Sequence, residues 1–531
     1  MGRATIKSGT INLLNTIIGA GILAMPYGLA QNGLVFGCML IIWSSFTSAF
    51  GLYLQNKVAK YTEQRGSVSY FSLAQLTYPK LSILFDLAIS IKCFGVGVSY
   101  LVVIGDLMPK IMETLRMDGS NLLMHRNFWI TIFMAAVVTP LSYLKKLNSL
   151  KYTSFIALFS VAYLICLVVE KYIALSITKE GSSILSATTT TSAAANNGSN
   201  VFARSIIPHP AEHIVWFGPI SFQKTLSSFP MFVFAYTCHQ NMFAIINELK
   251  PHDKDGSQTR QSNLIIRNAI CIALASYLVV GILGYLTFGS NVNANIISMY
   301  PKNSISSLIG RLCIVIMVSL SFPLQCHPCR GSINHVIHFI TNGVESSTPS
   351  KRSGTTTTTT PTTPTTANSS STNNTTERRS TNNGVYTSLS SDIESIGSLT
   401  DSTNMVDESF ISTTPMEGAQ DSEGHDPIVV PLTSKKFYII TSCIVVLSYL
   451  VAIMVTSLAK VLAFVGSTGS TSISFILPGV FGYFLIRPMN GATELDKLDK
   501  LCKYGGLALA IWGGAVMVIC LSATIFLGAT H

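Results

Sequence analysis

Gly19, Ala20 and Gly21 stand inside an apolar run, residues 11–30, that is long enough to cross a bilayer. Small residues there leave backbone groups open to a ligand, and glycine admits dihedrals that other residues resist. In hydrocarbon every N–H and C=O must be satisfied inside the protein, so irregular backbone belongs where it is buried or lines a cavity. A helix interrupted near mid-bilayer offers free N–H groups to an anion and free C=O groups to a cation. That chemistry suits a small ion or a zwitterion. The competing reading is a small-residue face for helix packing. Asn15 and Thr16 precede the glycines by about a turn and line the same cavity if there is one; otherwise Asn15 makes an interhelical hydrogen bond.

A second polar constellation lies further along the chain. Ser227-Ser228-Phe229-Pro230 is followed by Tyr236-Thr237-Cys238-His239-Gln240-Asn241, a dense polar patch in an apolar stretch over 216–246. His239 either carries a proton, since histidine titrates near neutral pH, or is a neutral hydrogen-bonded group. Ser319 and Ser321 are small polar groups able to face a cavity from a later apolar run. Asp86 and Lys92 read as charges at the cytoplasmic end of a span, where snorkelling keeps them in water. Arg330, after His327-Pro328-Cys329, reads as a helix end that pins lipid headgroups or pairs with a gate residue. Cys326 and Cys329 form a lone C-x-x-C, weak evidence for metal or redox chemistry.

The elements that must position these residues are membrane spans. Charged residues make up 11% of the chain and hydrophobic residues 48%, against roughly 25% charged in soluble domains. Mean hydropathy is +0.45. Apolar runs near twenty residues recur at 9–30, 33–54, 82–108, 127–144, 152–174, 216–246, 264–288, 306–328, 437–460, 469–487 and 505–528. Each matches a hydrocarbon core about 30 Å thick. The expectation is an all-α polytopic membrane protein with eleven transmembrane helices. The first run reads as a retained span rather than a signal peptide, since no cleavage pattern with a polar exit follows it. The net charge of +10 fits flanks facing anionic lipid and says nothing of nucleic acid. Lysine and arginine in the flanks place the N-terminus in the cytoplasm and the C-terminus on the lumenal or outer side.

Three regions follow: spans one to eight over 1–341, an insert over 342–434, and spans nine to eleven over 435–531. A loop over 175–215 is lumenal in this topology and carries Asn197-Gly198-Ser199, a glycosylation pattern. The insert is rich in Ser, Thr and acidic residues and too poor in apolar ones to order itself. It reads as a disordered cytoplasmic segment. It is either a docking region for a regulatory protein or kinase, or a tolerated insertion. Glycosylation at Asn368, Asn373 or Asn374 within it would invert the topology.

Ten of the spans divide five and five, with the interrupted spans one and six in corresponding places. Such a pair is the best pointer to a transporter's binding site. No Gly-Lys-Ser/Thr phosphate loop, H-E-x-x-H or dense Cys/His cluster is present, so the chain reads as no enzyme, with no cofactor and no metal.

The run SGTINLLNTIIGAGILAMPYGLAQNG at 8–33 resembles the amino acid/auxin permease family. So do SSFPMFVFAYTCHQNMFAIINEL at 227–249 and SFPLQCHPCR at 321–330. Within it, the chain looks most like the fungal vacuolar amino-acid transporters, with the sodium-coupled neutral amino-acid transporters close by. The resemblance covers nearly all the apolar chain and omits the insert. It implies an inverted five-plus-five repeat with discontinuous helices one and six, plus one extra helix. It also implies a substrate site between spans one, three, six and eight. The unwound segment maps onto Ile18, Gly19, Ala20 and Gly21; Tyr236, Thr237 and His239 complete the expected substrate site. Asn15 and Ser319 or Ser321 match the ion ligands of the sodium-coupled members. The expected function is secondary active transport of neutral amino acids, from lumen to cytosol, coupled to protons with sodium as the alternative. The expected place is the vacuolar membrane, with the plasma membrane second. The competing function is an amino-acid sensor that signals through the insert.

Overall fold

Interrupted helices, rather than uninterrupted rods, dominate the centre of the bundle. The computed structural model describes residues 5–61, 68–78, 81–116, 121–144, 151–188, 213–249, 257–342, 432–488 and 494–528; these are helices and connections, with no strand among them. Residues 343–431 of the insert, Asn197 and the other three glycosylation patterns lie outside the described residues.

Span one is two helices, Ile6–Ile17 and Gly21–Asn32, bent by 53°. Thr5 caps the first by accepting from the Ser8 amide at 3.3 Å, satisfying one of the unpaired N–H groups at a helix start. Gly33, at φ +81°, turns the chain into span two, Leu34–Val58. That backbone region strains any residue with a Cβ, and a Cβ there would also press on the backbone of Phe217 and Gly218.

Span three is Ser82–Thr114, span five is Lys151–Thr188, span seven is Ser257–Phe288 and span eight is Ile305–Asn342. Span nine is Ser434–Met454, and span eleven is Lys497–Gly528. Eight helices are long and apolar enough to cross a membrane, nine with the bent pair, among the described residues. The expected fourth and sixth spans fall outside that group because both are interrupted. The fourth is Arg126–Phe133, a π-helical turn at Met134–Val138, and Thr139–Ser142.

Several boundaries differ from the sequence reading. Span nine ends at Met454, not 460. After Val455-Thr456-Ser457 the chain re-enters as Leu458–Leu485, so span ten begins eleven residues earlier than the expected 469. Hydropathy stays high across this corner and hides it. Span ten is wound in part as π-helix, Gly466–Ser470 and Ser472–Ile476. Span eight continues past Pro328, read as a stop, to Asn342. Span five runs to Thr188, into the expected loop.

The first four spans each touch the span five places later: one with six, two with seven, three with eight, four with nine. Large apolar side chains turn outward on many spans, including Phe46, Phe159, Leu501 and Phe526. On a helix this apolar, such a face belongs against lipid tails.

Charges inside the bundle act as ties. Arg330 is buried rather than at a lipid-facing end: it donates to the Ser142 carbonyl at 3.3 Å and the Thr441 hydroxyl at 3.0 Å, and lies 4.0 Å from the Phe437 ring. Spans four, eight and nine are thereby joined. Arg311, fully buried, donates to the Tyr300 and Ile297 carbonyls and the Thr114 hydroxyl. Lys57 at the end of span two pairs with Asp499 on span eleven at 2.6 Å. Its ammonium also reaches the Cys502 sulfur. Asp499→Ala leaves a mostly buried ammonium without its counter-charge. The full penalty of breaking a buried pair is about 3–5 kcal/mol. Asp499 is partly exposed, so about 1–3 kcal/mol is expected here. A melting-temperature drop in detergent checks this, and Lys57→Met combined with Asp499→Leu recovers most of it.

Candidate functional site: two helix breaks that meet

The break in span one falls at Ile18, Gly19 and Ala20. The first half closes with the Ile18 amide donating to the Leu14 carbonyl at 2.8 Å and Gly19 to Ile17 at 3.1 Å. The second half opens with Ile22 donating to Gly19 and Leu23 to Ala20. Among the described residues, no acceptor takes the amides of Ala20 and Gly21. These are the first N–H groups of a half-helix, where an anion is favoured by both free donors and the helix dipole.

The two glycines do different work. A Cβ on Gly19 would meet only the Tyr100 side chain, its hydroxyl at 3.3 Å, and open space otherwise. A Cβ on Gly21 would lie 2.8 Å from the Ala235 Cβ and 2.9 Å from its Cα. Gly21 thus lets span one pack directly on span six, and Gly19 lies beside Tyr100 of span three.

Span six is a helix at Phe222–Ala235, later than the expected start at 216, and a second helix at Met242–Glu248. Tyr236, Thr237 and Cys238 are non-helical, and His239–Asn241 forms one 3-10 turn. The polar patch read from the sequence is therefore unwound backbone, not polar residues on a continuous helix. The polar run explains the weakness there, since hydroxyl and amide side chains compete for backbone partners; Pro230 lies within the first helix and does not end it.

The two breaks touch. Asn241 Nδ2 donates to Thr16 Oγ1 at 2.9 Å. Tyr277, on span seven, places its hydroxyl 2.8 Å from the Ile17 carbonyl and 2.8 Å from the Ala235 carbonyl. Those are the last residues of the two first half-helices. One side chain thus ties both broken ends together. The Tyr277 ring also packs edge-on against Tyr236, centroids 5.0 Å apart.

Tyr236, Thr237 and His239 are buried and largely face other elements. The Tyr236 carbonyl accepts from Ser48 Oγ at 3.0 Å. His239 Nε2 lies 3.2 Å from the Ser48 carbonyl, where the ring N–H donates. Thr237 Oγ1 donates to Val233 and meets Ser474 Oγ at 3.1 Å. Spans two and ten therefore hold the span-six break in place. Asn15 and Thr16 lie half-buried one turn before the span-one break. Ser319 donates to its own helix at Val315, and Ser321 is half-buried beside it.

Sequence reasoning missed Tyr100 and Tyr277, since a tyrosine within an apolar helix reads as core. It also misplaced two charges. Asp86 is not bathed at a helix end but buried, 3.5 Å from His335 Nδ1 on the extension of span eight. Lys92 is 2% exposed and does not snorkel.

The model of a family described as "Transmembrane amino acid transporter protein" matches residues 2–519. Vacuolar amino acid transporter 6 of Saccharomyces cerevisiae is 41% identical over 98% of this chain and 99% of its own length. Putative sodium-coupled neutral amino acid transporter 11 of Rattus norvegicus is 25% identical over 63% of this chain and 66% of its own. The crystal structure of MhsT in complex with L-phenylalanine aligns with 98% of this chain and 99% of that one, at 10% identity and a TM-score of 0.47.

Proposed function

The chain belongs to the transmembrane amino acid transporter family, and from that membership we propose that it carries amino acids across the vacuolar membrane by alternating access around the two breaks. The observation that carries this reading is the pair of unclaimed amides at Ala20 and Gly21. An α-carboxylate is the group that fits them, with the Tyr100 hydroxyl close by at Gly19. The α-amine then meets the carbonyl end of the first half-helix at Ile18, the opposite pole of the same break. Every amino acid shares both groups, so the break serves the class rather than one member.

Side-chain selection falls to the walls. Ile18–Gly21 and Tyr236–Asn241 carry no charged residue apart from the histidine of span six, which favours neutral amino acids. The relatives named for the vacuole match over nearly their whole length, and this supports the same membrane here. The working direction is lumen to cytosol, with a proton as the coupling ion and Asn15, Ser319 and Ser321 as the alternative sodium site.

Flux in isolated vacuolar vesicles with an imposed pH gradient tests the reading. An amino-acid mixture read by mass spectrometry is expected to leave acid-filled vesicles faster in the presence of the chain than in its absence. No change in any amino acid overturns it. Replacing potassium by sodium at fixed pH separates the two coupling ions.

A further inference from the structure

We infer that Lys92 is the residue that carries the coupling proton. This deepens the reading above and rests on the chain being a proton-coupled transporter. Lys92 sits on span three, two turns and more before Tyr100, about 12 Å along the helix axis at 1.5 Å per residue. That places it on the cytoplasmic side of the span-one break in the topology read from the flanks, beside the break in span six.

Lys92 is buried where other elements pack on span three. Span ten lies backbone to backbone on span three here: a Cβ on Gly469 would fall 2.7 Å from the Lys92 amide nitrogen and 2.8 Å from the Ala88 carbonyl. The unwound turn of span six contributes Cys238 and His239, both within electrostatic range. On its own helix the neighbouring titratable group is Cys93. The π-helical stretch of span ten, 466–476, holds no titratable residue. Span eight presents Cys326, Cys329 and Arg330 to the other side of span three, where Cys329 donates to the Ser90 carbonyl and Arg330 is already engaged. Asp86, the nearest carboxylate in sequence, faces His335. Among the described residues, no carboxylate pairs with Lys92 and no acceptor takes its protons.

A structural lysine in a bundle would be tied down as Arg330, Arg311 and Lys57 are. Ionisable residues inside spans are costly and persist where they act. Span ten packs on the backbone and Cβ of Lys92 at Gly469, so a movement of span ten against span three changes what surrounds the amine and its access to water. Protonation state and conformation are then linked, because the two packings differ in how well they accommodate the charge. The proton step is simple. The neutral amine takes one proton from water on the lumenal side of the cycle and returns one proton to water on the cytosolic side. Nothing else is transferred. A lysine amine takes both states within a protein, and an arginine guanidinium stays protonated.

The experiment uses the full chain in proteoliposomes, with an amino-acid mixture as the probe. Two assays are run: accumulation driven by a one-unit pH gradient, and exchange of labelled for unlabelled amino acids with no gradient. At one proton per substrate, the wild-type chain accumulates substrate about tenfold. Lys92→Met and Lys92→Gln are expected to lose that accumulation and keep exchange within about threefold of wild type, as expected when only the coupled charge is removed. Lys92→Arg is expected to lose accumulation too, since it cannot release its proton. Exchange also reports that each variant is folded. Lys92→Met with wild-type accumulation overturns the inference and leaves proton coupling intact. Loss of exchange in all three variants also overturns it, assigning Lys92 to structure or substrate binding. A wild-type chain that exchanges but ignores the pH gradient overturns the proton-coupled reading itself, and this inference with it.

Discussion

Gly19→Leu is expected to abolish amino-acid transport, by about a hundredfold or more, while the protein accumulates normally in the membrane. Gly19 has an ordinary backbone conformation, since only Gly33 and Gly289 among the described glycines take positive φ. A Cβ there meets the Tyr100 hydroxyl at 3.3 Å and little else. The leucine side chain therefore pushes on the end of the Tyr100 side chain in a half-buried place, not on core backbone, so folding is largely spared. It fills the space beside the Ala20 and Gly21 amides where a carboxylate would sit. Lost contact with the reacting end of a ligand, here its shared α-carboxylate, removes all substrates together. A hundredfold corresponds to about 2.7 kcal/mol, within reach of two lost charge-assisted hydrogen bonds. Gly21→Ala is the contrasting variant. Its methyl runs into Ala235, and overpacking of that kind costs about 1–3 kcal/mol of stability. It is expected to lower the amount of folded protein, with residual transport per folded molecule. Transport assays normalised to protein in the membrane read both. Wild-type flux of every amino acid through the Gly19→Leu chain would remove the span-one break from the substrate path.

The contrast also shows what a sequence can hold. The break itself is local. Two glycines around an alanine, in a run that otherwise favours helix, mark a weak place whatever surrounds it. The same holds for the turn between spans one and two at Gly33. Other features depend on partners far along the chain. Tyr277 meets Ile17 from 260 residues away, and nothing local distinguishes it from a core tyrosine. Lys92 reads as an end charge because the linear count puts it in the first half of an apolar run. Its burial comes from span ten, whose small residues Gly466-Ser467-Thr468-Gly469-Ser470 let backbones approach closely. The corner between spans nine and ten was invisible for a simpler reason. Hydropathy reports how apolar a stretch is, and the stretch stays apolar while the chain turns. Ser457 marks that turn by capping the next helix, a signal that a twenty-residue window averages away. The division into paired interrupted spans was legible because both weak places are written in residue types; which groups face each other across the gap was not.

Tyr277→Phe is expected to weaken transport about tenfold and to lower the melting temperature, although it removes a single oxygen. The hydroxyl has one hydrogen and two carbonyl neighbours, Ile17 and Ala235, each at 2.8 Å. It serves them as a shared, three-centre donor. Both carbonyls close half-helices: Ile17 also accepts from the Gly19 amide, whereas Ala235 relies on the tyrosine among the described residues. Water is no substitute, since the tyrosine is fully buried. Phenylalanine keeps the ring against Tyr236 and leaves no cavity, so the loss is polar. An acceptor left unsatisfied in such a place costs about 1–3 kcal/mol. The expected consequence is more than lower stability. With the tie gone, the end of span one and the end of span six are free to move apart, and the angle between the two breaks is no longer set. The Asn241–Thr16 hydrogen bond remains as the second link, which limits the loss. Adding Thr16→Val removes that link too. If the two ties act on the same geometry, the double variant loses more transport than the separate losses predict, because residues in one network couple by about 0.5–3 kcal/mol. Losses that simply multiply would mean that the two contacts stabilise different things. A Tyr277→Phe chain with wild-type flux and melting temperature would mean that the breaks are held in register by packing alone.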